Sequence, residues 1–428
     1  MVRFAHHARR VRVLKHIEPT QKKLFVGKRY SSQVLPTIHR ACIGVLHEYF
    51  QDSTALPALR ELTWNHGGVQ FARFLAPFFS PALRVLKFEN MESRYYTVYD
   101  VFDELTKKGC TEALEVLQLD GAGFFDLSEM RGNDLGIELF ARLPRLHTLG
   151  FFLDLAADYG TVLQRLPPGS FPSLRSLTIH CGTSASRERD LDGDTALGTI
   201  AKLLDYLAPT HPLRSLVFEV PRKLKISVSR SAIRAILTAA AAFANTLDTL
   251  GFVLGVGLHK GEAPLDRSVF EPLTRVPCVE YIVMEHAAFD IDVANLKAMG
   301  DTWPDLCWLC LGQEDVRSPA RVPATSLPGL VAEMRSLEKL GVKVYDSGER
   351  LDLEMAEKQA RRRLRRLDVG HSRFPRERVT EVATYLSRSF PEATLTLSPD
   401  IYGINSCVWE KAVEEDKSRQ KRNASRVL

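Results

Sequence analysis

One short hydrophobic phrase recurs along the whole chain: a leucine, two other residues, a second leucine, one more residue and a third apolar side chain. In LPALRELTW these positions are Leu59, Leu62 and Trp64. Eleven copies are clear, and successive copies lie as few as 24 residues apart and as many as 39, from Leu174 to Leu213. Weaker copies open the chain at ARRVRVL and close it at EATLTL. The second apolar position of the eleven copies is occupied by Leu62, Leu86, Leu117, Leu149, Leu177, Leu216, Leu250, Ile282, Leu309, Leu340 and Leu367.

The spacing inside the phrase predicts a short strand. The second and third apolar positions are two residues apart and therefore point to one face, while the first packs just before the strand. Each unit leaves an apolar face that it cannot bury alone, so units must stack and share a core. Helical segments lie between the phrases, among them TVYDVFDELTKKG, TALGTIAKLLDYLAP, SRSAIRAILTAAAAFANTL and PRERVTEVATYLSRSF. We therefore predict an α/β leucine-rich-repeat solenoid, a horseshoe with a parallel inner sheet, outer helices and about eleven to thirteen irregular repeats. A doubly wound α/β core is the alternative, but it would not repeat one phrase eleven times.

The repeats divide the chain into three regions. Residues 1–55 form an N-terminal capping or linker region with one helix and a weak first repeat, residues 56–400 form the solenoid, and residues 401–428 form a charged tail that we expect to be partly disordered. The long spacing between Ile179 and Pro212 predicts an extra loop. Gly67, Met91 and Ala122 stand where regular repeats carry an asparagine. We therefore expect irregular turns that are capped individually.

Composition narrows the class of protein. A hydrophobic fraction of 45% with 25% charged residues is typical of a folded soluble chain, and a net charge of +5 does not mark a nucleic-acid binder. Seven scattered cysteines do not form a disulfide framework, which favours a reducing compartment. The sequence has neither a secretory signal nor an apolar run long enough for a membrane helix. We expect a cytoplasmic or nuclear protein with neither a membrane nor a nucleic-acid partner.

No motif predicts catalysis. Cys307 and Cys310 have Cys-x-x-Cys spacing, but on a strand they point to opposite faces and no second pair lies nearby, so we interpret both as structural. GFVLGVGLHKG misses the spacing of a nucleotide-binding loop, and we interpret it as a turn. The run of arginines from Arg361 to Arg366 is typical of a solvated face around the buried Leu364. We predict that the chain is not an enzyme and holds neither a cofactor nor a metal.

The residues that flank each second leucine should face the concave surface of a solenoid, where partners bind. In the middle strands these residues are small and polar, whereas the late strands carry aromatic and basic side chains. Because Trp, Tyr and Arg dominate interface hot spots, we predict that this part of the face binds a protein, through an acidic or phosphorylated segment. The alternative is that a neighbouring loop covers Trp308. The predicted contact residues are Tyr281, Val283, Trp308, Lys339, Lys343 and Arg366.

The opening FAHHARRVRVL, a helical segment at LPTIHRACIGVLHEYF and then LPALRELTW resemble the leucine-rich part of fungal F-box-like proteins. In that family an F-box helix bundle precedes irregular repeats. The resemblance implies a substrate receptor of an SCF-type ubiquitin ligase, in which the F-box binds the cullin adaptor and the repeats bind the target. No phrase before residue 56 fits the Leu-Pro-x-Glu opening of an F-box. We therefore expect adaptor binding only if an F-box lies upstream.

Two other classes of function stay open from the sequence. A leucine-rich regulatory protein of GTPase-activating type would need a catalytic Asn or Arg on a rigid loop at the rim, and the sequence offers no distinctive candidate. A purely structural scaffold is the third possibility. Identifying what the concave face and its rim bind would distinguish a substrate receptor, a GTPase-activating type of protein and a structural scaffold.

Overall fold

Each of the eleven clear phrases forms a β-strand in the computed structural model of the protein, and the two weaker phrases form one strand each. The structure describes residues 7–17, 48, 50, 54–65, 72–89, 98–119, 140–154, 166–167, 169–182, 193–208, 211–220, 226–315, 317–358, 363–398 and 404–427. The predicted helix near residues 35–50 lies largely outside these ranges, as do Gly67, Met91, Ala122 and the first two arginines of the basic run. The chain divides into two units, Met1–Glu188 with Pro209–Leu213, and Arg189–Ala208 with Arg214–Leu428.

In the first unit, six strands pair in parallel in the order in which they occur along the chain. The second leucines lie in register from strand to strand, so that Leu62 is opposite Leu86 and Leu86 is opposite Leu117. This order and polarity are what the stacking of successive units requires. The strands are β1 (Val13–Ile17), β2 (Glu61–Asn65), β3 (Val85–Glu89), β4 (Val116–Leu119), β5 (Thr148–Asp154) and β6 (Ser176–Gly182).

The second unit contains seven strands of the same kind, again parallel and in chain order. They are β7 (Ser215–Val220), β9 (Thr249–Leu254), β11 (Val279–Met284), β12 (Trp308–Leu311), β14 (Lys339–Val342), β16 (Arg366–Asp368) and β17 (Thr394–Thr396). The register shifts between Val279 and Tyr281, where β11 contains an irregularity. A mixed α/β architecture built on parallel strands is therefore confirmed.

The core of both units is formed by the repeated phrase. All three apolar positions of all eleven copies are buried, from Leu59, Leu62 and Trp64 to Leu364, Leu367 and Val369. Burying one such side chain stabilises the fold by about 1.5–3 kcal/mol relative to leaving it in water, so the phrase supplies most of the driving force for stacking. In the second unit this sequential packing continues through stacked rings, since Phe218 and Phe252 lie 5.3 Å apart.

Helices connect many of the strands, and the four segments with helical character are helical as predicted. Ser229 begins the clearest of them, because its hydroxyl accepts a hydrogen bond of 3.1 Å from the amide of Ala232. Ile233, Ile236 and Leu237 form its buried stripe. The helices are α1 (Val98–Lys107), α2 (Gly193–Leu207), α3 (Arg230–Ala241), α4 (Val293–Thr302), α5 (Leu327–Glu333), α6 (Leu353–Lys358), α7 (Val379–Ser389) and α8 (Ile404–Val427), with 3-10 helices at Ala72–Phe78, Arg267–Arg275 and Ala324–Ser326.

Two further ladders of the second unit correct the sequence prediction. The glycine-rich stretch interpreted as a turn instead forms β10 (Val256–Leu258), which pairs in parallel with β8 (Ile226–Val228). Likewise β13 (Val322–Pro323) pairs with β15 (Val344–Tyr345). Val256 and Leu258 are buried while Gly257 lies between them, so the alternation is that of a strand and not of a loop.

The charged tail is also different from the prediction. We expected partial disorder after residue 400, whereas Ile404–Val427 forms one helix. Trp409 is fully buried and stacks on Phe374 at a ring distance of 5.8 Å. Polar contacts add to this anchor, because Arg388 pairs with the buried Asp416 at 3.3 Å and the Lys417 ammonium donates to the Ala393 carbonyl at 2.6 Å. Such isolated contacts leave no periodic apolar pattern in the sequence.

Serine hydroxyls form hydrogen bonds with backbone groups in several of the described turns. The Ser80 hydroxyl donates to the Pro57 carbonyl at 2.7 Å. At the ends of later strands, the Ser318 hydroxyl accepts from the amide of Phe289 at 2.9 Å, and the Ser372 hydroxyl accepts from the amide of Val344 at 2.8 Å. Each bond satisfies a backbone group that the strands leave without a ladder partner.

Candidate protein-binding surface

Four of the predicted contact residues lie side by side on the face of the sheet opposite the core. Tyr281 on β11 is in register with Trp308 on β12, Trp308 with Lys339 on β14, and Lys339 with Arg366 on β16. Because neighbouring strands are about 4.8 Å apart, the four side chains form one continuous row. We call Tyr281, Trp308, Lys339 and Arg366 the aromatic row.

The two rings of the aromatic row contact each other. The centroids of Tyr281 and Trp308 are 5.1 Å apart with an interplanar angle of 69°, an edge-to-face arrangement. The ammonium of Lys339 lies 5.5 Å from the centroid of the Trp308 ring. Trp308 nevertheless remains 39% exposed, and no neighbouring loop covers it in the described part of the chain. A tryptophan that is held in place and left open is suited to contact a partner.

A glycine on the preceding strand makes room for Tyr281. A Cβ atom at Gly251 would lie only 2.9 Å from Cδ2 of the Tyr281 ring. The irregularity in β11 places Tyr281 opposite Gly251 on one side and opposite Trp308 on the other. A hydrogen bond with Glu280, together with burial, raises the pKa of Tyr281 to about 12, so the phenol is neutral at physiological pH.

Carboxylates of the same unit partly neutralise the two cations of the row. The Lys339 ammonium is 3.6 Å from the buried Glu285 carboxylate, and only 13% of the lysine side chain is exposed. Arg366 is 3.2 Å from the buried Asp368 carboxylate, but 42% of its side chain is exposed. Arg366 is therefore the cation of the row that is accessible to an incoming anion.

Val283 and Lys343 are not at the surface, which corrects their predicted placement. Val283 is 3% exposed and Lys343 is 5% exposed. The Lys343 ammonium donates to the Ser318 carbonyl at 2.9 Å, and burial lowers the pKa of this lysine. Strand alternation correctly assigns Val283 to the face opposite the core, but the face is covered at that level.

The cover consists of residues 312–315, which follow β12 and return across the neighbouring strands; we call them the cover segment. The amide of Glu314 donates to the Glu285 carbonyl at 2.9 Å, and the amide of His371 donates to the Gln313 carbonyl at 2.8 Å. The Gln313 side chain is fully buried. Cys310, Gly341 and Asp368, which the sequence assigned to the partner face, are buried as well.

Glycines are the sequence signal that could have revealed this cover. A Cβ at Gly341 would lie 2.8 Å from the Gln313 amide nitrogen, and a Cβ at Gly370 would collide with the Gln313 carbonyl oxygen. Gly341 on β14 and Gly370 in the turn after β16 therefore leave room where another segment passes close to the backbone.

Cys307 and Cys310 behave as structural residues. Cys310 is buried and Cys307 is half-buried, and neither forms a disulfide. Burial raises the pKa of Cys307, and the Glu280 and Glu338 carboxylates raise it further, which disfavours a reactive thiolate. Among the residues that the structure describes, no cluster of His, Cys, Asp and Glu is suited to hold a metal ion.

The comparisons with known proteins add no relative. No protein-family model matches the chain. No curated protein matches it either. Within the described ranges, no helix has the length and apolar character needed to span a bilayer.

Proposed function

We propose that the chain is a leucine-rich-repeat solenoid that binds a protein partner through the aromatic row. The observation that carries the proposal is the state of Trp308: its ring is fixed between Tyr281 and Lys339 and is still 39% exposed. A ring that is already ordered loses little conformational entropy when a partner covers it. Rigid, half-open tryptophans beside tyrosine and arginine are the usual make-up of interface hot spots.

The partner segment that fits this row is part apolar and part anionic. Trp308 and Tyr281 offer ring surface, and Arg366 offers a guanidinium fork that can bind a carboxylate or a phosphate with two hydrogen bonds. Asp368 keeps the guanidinium in place without covering it. We propose an acidic or phosphorylated segment that carries an apolar side chain next to its anion.

The experiment compares two exposed aromatic residues of the second unit. Proteins retained by the wild-type chain and released by Trp308→Ala are identified, and the partner is then purified and titrated by calorimetry. We expect Trp308→Ala to weaken binding at least tenfold, or about 1.4 kcal/mol or more, as is typical of a hot spot. Tyr345 is 37% exposed and lies outside the row, so Tyr345→Ala is the matched control and should change affinity less than twofold. Equal binding by wild type and Trp308→Ala would contradict the proposal.

A role as substrate receptor of a cullin–RING ligase extends this proposal and is supported by the sequence resemblance alone. It requires an F-box encoded in frame ahead of Met1 and binding of the cullin adaptor by the full transcript product. Co-purification of the adaptor with that product tests it. Loss of adaptor binding would remove the ligase role and leave partner binding by the aromatic row untouched.

A further inference from the structure

We propose that the first unit carries a second docking surface, an arginine-rich edge that binds an acidic polypeptide segment. The surface lies where the strands begin and is distinct from the aromatic row. Arg12, Arg60, Arg84 and Arg175 each stand immediately before the strand of their repeat, and all four are exposed. Two more exposed arginines, Arg142 and Arg145, lie in the turn that leads into β5. We call these six residues the arginine edge.

Hydrogen bonds of the backbone place three of these arginines next to one another. The amide of Arg60 donates to the Arg12 carbonyl at 2.8 Å, and the amide of Arg84 donates to the Arg60 carbonyl at 2.8 Å. Successive arginines therefore start one strand spacing apart, about 4.8 Å. The side chains extend sideways along this edge, as the 3.3 Å ion pair between Arg84 and Glu115 on the next repeat shows.

The charge of the edge is not balanced locally. Within the described residues, Arg60, Arg142, Arg145 and Arg175 make no ion pair. The nearby Glu61 carboxylate is paired with the Lys15 ammonium at 3.0 Å. Six arginines thus share the edge with the Glu112 and Glu115 carboxylates, and among the described residues only Glu115 forms an ion pair with one of them. This clustering contrasts with the small net charge of the whole chain, +5, and it creates a local positive potential that attracts anions.

The repeat itself does not require arginine at this position. In the second unit acidic as well as basic side chains stand at this position, which is occupied by Arg214, Asp248, Cys278, Cys307, Glu338, Arg365 and Ala393. Both kinds of side chain are compatible with the strand and its turn. Arg12 donates to the Ala58 carbonyl and Arg84 pairs with Glu115 on neighbouring repeats, whereas the other four arginines of the edge make no such contact among the described residues and are available for binding.

The chemistry of the edge favours a polypeptide over a single-stranded nucleic acid. Guanidinium groups bind carboxylates with two parallel hydrogen bonds. Single-stranded nucleic acids are bound by aromatic rings on which bases stack, whereas the aromatic side chains of the first unit whose burial is described are buried or half-buried. The spacing also fits, because carboxylates on successive turns of a helix are about 5.4 Å apart, close to the strand spacing.

The test measures binding of a fluorescein-labelled oligoglutamate peptide to the full chain by fluorescence anisotropy, at low and at physiological salt. Arg60→Ala with Arg84→Ala should weaken binding roughly tenfold, because two adjacent forks are lost. The matched control is Arg214→Ala with Arg365→Ala, which removes the same charge from exposed arginines at the same repeat position in the second unit. Its affinity should change less than about twofold once screening by salt removes the effect of net charge.

Three outcomes would overturn the proposal: no binding by the wild-type chain, equal losses in both double variants, or tighter binding of an oligothymidylate of equal charge. The last outcome would assign the edge to nucleic acid. Circular dichroism checks that each variant is folded. If the double alanine variant does not fold, peptide binding is measured instead with the double variant Arg60→Lys and Arg84→Lys. This variant keeps both positive charges and removes the two guanidinium groups. A loss of roughly threefold supports the proposal, and unchanged affinity contradicts it.

Discussion

The ring of Tyr281 occupies the space that a side chain at position 251 would fill. The two residues are in register on β11 and β9, and a Cβ at Gly251 would lie 2.9 Å from the ring. The tyrosine edge contacts the Trp308 ring on the other side. The orientation of the most exposed tryptophan of the second unit thus depends on a glycine two strands away.

Gly251→Ala should therefore move the Tyr281 ring and change the surroundings of Trp308. Because the ring is half-buried and can shift, we expect a loss of only about 1 kcal/mol in the free energy of unfolding. We expect a clear change in the fluorescence emission of Trp308. This emission is obtained by subtracting the spectrum of a protein with Trp308→Phe from that of the same protein with Trp308 intact, with and without Gly251→Ala. The control is Gly198→Ala in α2, where a Cβ meets no neighbour. An unchanged Trp308 emission in Gly251→Ala would contradict the coupling.

Two glycines under the cover segment should differ in their tolerance of a side chain. At Gly370 φ is +52° and the added Cβ would meet backbone atoms of Gln313, so Gly370→Ala should cost about 3 kcal/mol or more. At Gly341 the nearest atoms belong to the Gln313 and Cys310 side chains, which can adjust, so Gly341→Ala should cost about 1–2 kcal/mol. Urea unfolding of both variants measures the difference. Equal losses would show that the cover segment does not lie as close to β16 as described.

The ion pair of Arg378 and Asp346 should make stability depend on acid pH. The Arg378 guanidinium donates to both Asp346 oxygens, at 2.8 and 3.1 Å, and these bonds hold the pKa of Asp346 below its ordinary value of 3.8. Stability from the pair is therefore complete above pH 3.8 and is lost as the pH falls through the lower folded-state pKa. Arg378→Lys should lower the free energy of unfolding by about 1–2 kcal/mol at neutral pH, and by less as the pH falls through that range.

The matched control for this pair is the more exposed ion pair of Arg321 and Asp290. Arg321→Lys should change the free energy of unfolding by less than about 0.5 kcal/mol, because solvent screens the pair. Urea titrations of the wild-type chain and both variants across acid and neutral pH give the comparison. A cost of Arg378→Lys that does not depend on pH would contradict the assignment to Asp346.

The strands and their core could be predicted from the sequence because both depend on local order. Leu62 and Trp64 are two residues apart, and that spacing alone decides that they share the buried face. The lateral order of Tyr281, Trp308 and Lys339 could be predicted for the same reason, since successive repeats stack in parallel. The members of the aromatic row could be predicted because each has the same position within its own repeat.

The errors arise where distant segments meet. Val283 and Lys343 have the alternation of exposed residues but are buried, and the Lys343 ammonium donates to the Ser318 carbonyl of another repeat. The tail helix is held by the stacking of Trp409 on Phe374 and by the contacts of Asp416 and Lys417, and such scattered contacts leave no periodicity to detect. The arginine edge could not be predicted from the sequence, because its members are spread over more than 160 residues, from Arg12 to Arg175. The net charge of the whole chain also does not reveal a local cluster of positive side chains.

The cover segment changes how the second unit should respond to partial unfolding. A repeat array in which each unit contacts only its neighbours can lose terminal units one at a time. Here one segment contacts the Glu285 carbonyl after β11, the His371 amide after β16 and, through the Glu314 carboxylate, the Ser398 hydroxyl after β17 at 2.9 Å. Loss of β17 would remove the Ser398 hydroxyl as a partner of the cover segment, which also hydrogen-bonds to the Glu285 carbonyl after β11. Unfolding of the last strand is therefore linked to exposure of β11. The final repeats of the chain should therefore protect their amides from exchange as one cooperative block.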